Sequence, residues 1–218
     1  MNAPEPTDPL PGAPERTQVG APRRAPHPIE VESYRILRSR IDLSHLPPLS
    51  RAVTERVCHA SADLSFAESL VVDEQALARG REALLSGCTV VCDARMAAAG
   101  ITSRSPLVPL TDPRTAERAA ADGTTRSTAA MRIAVEEVGP GAVWVVGNAP
   151  TALFALIEHP PEAPALIVGL PVGFVGAAES KAALAASGLP CVTNVGERGG
   201  SAVAAAAVNA LIRWAPEP

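Results

Sequence analysis

Apolar residues at Ile29, Ile36, Leu37 and Ile41 share one face of a helical wheel, with glutamates early and arginines late. That pattern predicts a helix over "PIEVESYRILRSRID", charged as the helix dipole prefers. A second helix is predicted in "LPPLSRAVTERVCHASA", with Ser50 as N-cap, and a third in "DEQALARGREALLSG", closed by Gly87. The pattern then changes. "TVVCDA" (89–94), "AVWVVG" (142–147), "ALIVGL" (165–170) and "CVTNV" (191–195) are short, apolar and rich in valine, and "SLVV" (69–72) adds a shorter run. Such runs read as strands buried on both faces of a parallel sheet. Helical stretches at 113–122, 126–138, 149–158, 176–187 and 200–213 lie between and after them. This alternation predicts βαβ units in an α/β fold, a doubly wound and mostly parallel sheet of about five strands.

Composition narrows the picture. The 218 residues suit one domain, expected over 29–215. Residues 1–28 hold eight of the 22 prolines and read as a disordered leader with nothing to bury. The chain is 47% hydrophobic but 3% aromatic, so small aliphatic side chains must build the core and let helices lie close to strands. A net charge of −4 argues against a general nucleic-acid surface. Lys181 is the single lysine; every other basic residue, histidines aside, is arginine, the better fork for carboxylates. Cys58, Cys88, Cys92 and Cys191 form no CxxC pair and no zinc spacing, so no metal site is expected. With no apolar run near ~20 residues and no signal core, no membrane is expected, and a cytoplasmic location is.

Three strand-to-helix joints are alike in chemistry. They are "VVGNAPTALFAL" with Asn148, "VGLPVGFVGAAESKAAL", and "NVGERGGSAVAAAAVNAL" with Gly199, Gly200 and Ser201. In open α/β sheets ligands bind beyond the carboxyl ends of the strands. Glycine lets backbone approach a ligand, and helix starts favour anions, so the three joints together suggest an anion-friendly shelf. Neither a dinucleotide nor a P-loop fingerprint is present. In "CDARMAAAGITSR", Asp93 and Arg95 directly follow a strand. In "GTTRSTAAM", Thr125 or Ser127 is a candidate cap, and Arg126 sits where the dipole disfavours a cation, which suggests another partner. Arg56 and His59, three apart, share a helix face at the edge of a stripe of Val53, Val57 and Ala60. From these residues alone, a half-exposed helix residue is the favoured reading of His59, ahead of a metal ligand or an acid–base group.

Several phrases stand in the order and spacing of one family: "CHASAD", "VVCDARMAAAGI", "GTTRS", "GNAPTALFAL", "GLPVGFVGAAESK" and "GERGGSAVAAAAVNAL". The chain resembles precorrin-8X methylmutase, the precorrin isomerase of cobalamin biosynthesis, over about residues 29–213. The resemblance implies a flavodoxin-like three-layer α/β/α sandwich and a homodimer with active sites near the subunit interface. It implies a 1,5-sigmatropic methyl shift from C-11 to C-12 that converts precorrin-8X to hydrogenobyrinic acid. The anaerobic relative acts on cobalt-precorrin-8 and gives cobyrinic acid. The same resemblance carries the catalytic histidine onto His59, and substrate-binding residues onto Ser33, Arg56 and Arg126. Many family members have glycine where Ala62 stands.

The implied substrate is a large conjugated ring bearing many carboxylates. Holding it needs a wide, mostly apolar slot with anion-binding groups on its rim, and Asp93, Arg95, Asn148, Gly199, Gly200 and Ser201 are the candidate substrate-binding residues there. The shift needs no cofactor; protonating the ring redistributes its π electrons, and histidine, with a pKa of ~6.5, can donate near neutrality. A non-catalytic corrinoid carrier would not need His59, and a generic nucleotide or flavin binder would need the missing phosphate fingerprint.

Overall fold

The computed structural model describes residues 27–215, so all but the last two residues of the expected leader lie outside the described residues. Helices α1 (Pro28–Arg40) and α2 (Pro48–Ser61) come first, followed by a single turn, α3 (Phe66–Ser69). Strand β1 (Leu70–Val72), α4 (Glu74–Leu85), β2 (Val90–Cys92) and the short α5 (Arg95–Gly100) follow. After α6 (Arg114–Asp122) and α7 (Arg126–Glu137) the chain alternates: β3 (Val143–Val146), α8 (Pro150–Glu158), β4 (Leu166–Gly169), α9 (Ala177–Ala186), β5 (Cys191–Asn194), α10 (Ser201–Arg213).

One five-stranded sheet has the order β1-β5-β4-β3-β2. The β2–β3, β3–β4 and β4–β5 pairs are parallel, and β1 closes the far edge antiparallel to β5. Side chains alternate between the faces, as the pleat requires. Val90, Cys92, Val143, Val145, Leu166 and Val168 face one core, with α2, α4, α5 and α10. Val91, Trp144, Val146 and Ile167 face the other, with α7, α8 and α9. The three-layer sandwich agrees with the sequence. The double winding takes a different form: β2 to β5 advance in one direction, and the crossover helices α7, α8 and α9 cover one face. The second helical layer comes from the N-terminal helices, α5 and α10.

The close packing expected from small residues is concentrated in α10, whose Ala204, Ala205, Ala206, Ala207 and Ala210 are all buried. A side chain at Gly147 would meet the Ser201 Cα at 2.8 Å, so the start of α10 lies directly on the end of β3.

Two helix ends test the local sequence signals. Gly87 ends α4 at φ +82°, with Cys88 N–H reaching back to the Ala83 carbonyl, as expected. Ser50 is not the N-cap of α2. The helix begins at Pro48, which needs no hydrogen-bond acceptor. The Glu74 carboxylate, reaching across from α4, accepts from Leu49 N–H, Ser50 N–H and Ser50 Oγ at 2.7–2.8 Å.

Helix α2 ends with Ala62 in the left-handed region (φ 52°, ψ 27°). Glycine adopts that conformation freely, whereas a Cβ there costs ~1 kcal/mol or more. Ala62→Gly should therefore raise unfolding free energy by about 1 kcal/mol, seen as a higher urea midpoint at unchanged m-value. An unchanged or lower midpoint would show that the strain is offset elsewhere.

Candidate active site

Helices α1 and α2 pack against each other and build the first half of the site. Arg56 and His59 lie on the face of α2 that meets α1. Ser33 Oγ lies 3.1 Å from His59 Nδ1. The Tyr34 ring stacks on the imidazole, with centroids 4.6 Å apart and planes 4° from parallel. Arg56 Nη1 donates to Glu30 Oε1 at 2.7 Å and to Tyr34 Oη at 3.2 Å. The hydrogen bond to Arg56 holds the Glu30 carboxyl below its usual pKa. Further along α1, Arg38 makes a two-pronged pair with Glu55 at 2.8 Å. The imidazole is thus held at one nitrogen and over one face, and its Nε2 makes no hydrogen bond among the described residues.

The second half is the carboxyl edge of the sheet. Asp93, just beyond β2, is 2% exposed. Its carboxylate accepts the N–H groups of Gly147, Asn148 and Ala149 at 3.1, 2.8 and 2.8 Å. Burial pushes its pKa up against those three bonds, which favour the charge. Asp93 therefore faces the β3–α8 joint, not an external ligand, and shapes the site by holding that joint. Arg95, Met96 and Asn148 are exposed beside it.

The β5–α10 joint is the most constrained. A side chain on Gly199 would come within 2.4 Å of the Leu170 carbonyl oxygen, and Gly200 N–H donates to that oxygen at 2.8 Å. Ser201 Oγ is buried without a hydrogen-bond partner among the described residues. Between β4 and α9, the loop carries Phe174 and Val175, 90% and 88% exposed, at this edge.

Arg126 is the first residue of α7, exposed, behind the N-cap Thr125, whose hydroxyl accepts from Thr128 N–H and donates to Thr151 Oγ1 on α8. Neither Arg95 nor Arg126 makes an ion pair among the described residues. The two halves meet through Arg198, which donates to Asp63 Oδ2 at 2.7 Å and to Ser65 Oγ, just past the end of α2. The structure thus links the His59 helix to the Gly199–Ser201 joint. It gives Ser33 to the imidazole and Arg56 to Glu30 and Tyr34. Glu30 and Tyr34 escaped the sequence reading; the available signal was that the one tyrosine in the chain adjoins Ser33.

Proton transfer at the carboxyl edge of an α/β sheet is the class of enzyme this geometry suits. Comparison with known proteins narrows it. A family model described as precorrin-8X methylmutase matches residues 28–214. The cobalt-precorrin-8 methylmutase of Salmonella typhimurium is 41% identical over 199 residues, 86% of this chain and 94% of that one. The precorrin-8X methylmutase of Pseudomonas aeruginosa is 44% identical over 192 residues, 83% and 91% of the two chains. A solved precorrin-8X methylmutase from Thermus thermophilus superposes with a TM-score of 0.77 at 36% identity, covering 85% of this chain and 94% of the other. The chain belongs to the precorrin-8X methylmutase family, whose members are isomerases.

Tyr34→Leu should lower turnover roughly tenfold, about 1.4 kcal/mol, by freeing one face of the imidazole. Tyr34→Phe, which keeps the stacked ring, should retain most activity. Steady-state rates on the corrinoid substrate check this; equal loss in both variants would shift the role from the ring to the hydroxyl.

Proposed function

We propose that the chain moves a methyl group from C-11 to C-12 of precorrin-8X by a 1,5-sigmatropic shift, giving hydrogenobyrinic acid, and that it does so as a homodimer. The observation that carries this reading is the environment of His59. With Ser33 at Nδ1 and Tyr34 over one face, the imidazole is fixed in place while Nε2 stays open to a ligand. It stands in the last turn of α2. His59 donates a proton to the ring and recovers it, so the net reaction is isomerisation: the C-11–methyl bond breaks and the C-12–methyl bond forms. Binding the ring in a product-like shape supplies the remaining acceleration.

Arg126 and Arg95, without carboxylate partners among the described residues, bind substrate carboxylates. Asn148, Gly199, Gly200 and Ser201 add polar contacts along the edge, and Ser33 and Arg56 support the histidine side. Phe174 and Val175 offer apolar surface to the ring. In a protein of net charge −4, local arginines must overcome a field that repels a polycarboxylate. A corrinoid carrier would have no use for a fixed imidazole with one open nitrogen.

His59→Ala should bind the corrinoid but lose about 10²–10⁴-fold in rate, followed through the absorption change of the ring. Normal turnover would remove His59 from the mechanism. Arg126→Ala should weaken affinity roughly tenfold to a hundredfold, the worth of a charged hydrogen bond, with less effect on the chemical step. Loss of turnover at unchanged affinity would contradict its role. Offered side by side, the metal-free substrate should turn over faster than cobalt-precorrin-8; the opposite order would assign the chain to the cobalt branch.

A further inference from the structure

Lys181 is the only lysine in the chain, and it is completely buried. It projects from α9 under the β5–α10 joint, where Nζ donates to Asn194 Oδ1 at 3.1 Å and to the Arg198 carbonyl oxygen. Asn194, at the end of β5, donates from Nδ2 to the carbonyls of Val195 at 3.1 Å and Arg198 at 3.0 Å. Two buried side chains therefore draw two of the turn's carbonyls, those of Val195 and Arg198, inward. In a trans peptide the C=O and the following N–H point in opposite directions, and no peptide bond among the described residues is cis. The N–H groups of Gly196 and Gly199 are accordingly turned outward, and neither has an acceptor among the described residues.

A buried ammonium is a costly way to hold a turn. Burial pulls the Lys181 pKa down to about 8, with Glu197 acting the other way, and no carboxylate pairs with it among the described residues. A methionine would fill similar space without that desolvation. The residue kept here places positive charge directly behind the outward N–H groups and the start of α10.

We propose that Lys181 is a positioning residue for substrate carboxylates: it fixes the turn 195–200 so that the Gly196 and Gly199 N–H groups face the ligand. This rests on the reading of the β5–α10 joint as a carboxylate site, and the experiment separates the two. Lys181→Met should raise KM, and Kd for hydrogenobyrinic acid, roughly tenfold or more while kcat stays within about threefold. A loss confined to kcat, or no loss of affinity, would overturn the proposal. In the wild-type enzyme, adding hydrogenobyrinic acid should shift the Gly196 and Gly199 amide resonances. If those amides do not move, the carboxylate site itself is wrong; if they move but Lys181→Met binds normally, only the role of Lys181 fails. Should Lys181→Met not fold, wild-type protein labelled with [15N]lysine gives a single side-chain signal. That signal should shift with the same Kd as the Gly199 amide, and an unmoved signal would overturn the proposal.

Discussion

The close contact between α10 and the sheet sets the distances on which the site depends. Alanines on α10, and the missing side chain of Gly147, let the helix axis approach the strands more closely than a leucine-built interface allows. Helix α2 packs on α10, so its depth and tilt follow from that approach, and with them the position of His59. The same contact holds the start of α10, at Ser201, against the end of β3, while Gly199 lies against the backbone just past β4. Helix α1 then locks onto α2 through Ser33, Tyr34 and Glu30. Interiors packed at this density resist even a methylene, so the geometry around His59 is inherited from apolar contacts some way from it.

Charge is deployed in two ways that composition does not separate. Arg38, Arg56 and Arg198 each pair with a carboxylate of another part of the chain and so tie two segments together. Arg95 and Arg126 have no such partner among the described residues and stand exposed at the carboxyl edge of the sheet. In sequence all five are arginines in helices or loops. The distinguishing fact is which acid the fold brings within hydrogen-bond reach, a long-range property.

Much of the architecture was legible because its signals are local. Each of the five apolar runs became a strand; in β2 to β5 residues buried on both faces leave an unbroken apolar stretch, whereas β1 is a half-exposed edge strand. Gly87 and Thr125 act at their helix ends as local chemistry requires. Ser50 misled because its partner, Glu74, is 24 residues away and satisfies the same N–H groups a cap would have taken. Strand order was beyond local pattern as well: alternation specifies parallel pairs but not whether successive strands advance in one direction or reverse. At the site, Arg56 and His59 were placed correctly on one face of α2, but the ring stacked on His59 comes from another helix, and no periodicity reports that.

Asp93 and Lys181 change what the glycine joints mean. Read from sequence, three joints offer the same anion-binding backbone. In the structure Asp93 accepts three N–H groups of the β3–α8 joint, which leaves that joint with little to give an anion. At the β5–α10 joint the buried group has the opposite sign, and Lys181 with Asn194 takes carbonyls instead. Because each peptide carries its donor and acceptor on opposite sides, a buried acceptor exposes carbonyls and a buried donor exposes N–H groups. The edge is therefore polarised rather than uniform. The carbonyls are drawn inward toward β5 and α10, near the end of α2 where His59 stands, while the β3 side carries the exposed Asn148, Arg95 and Arg126.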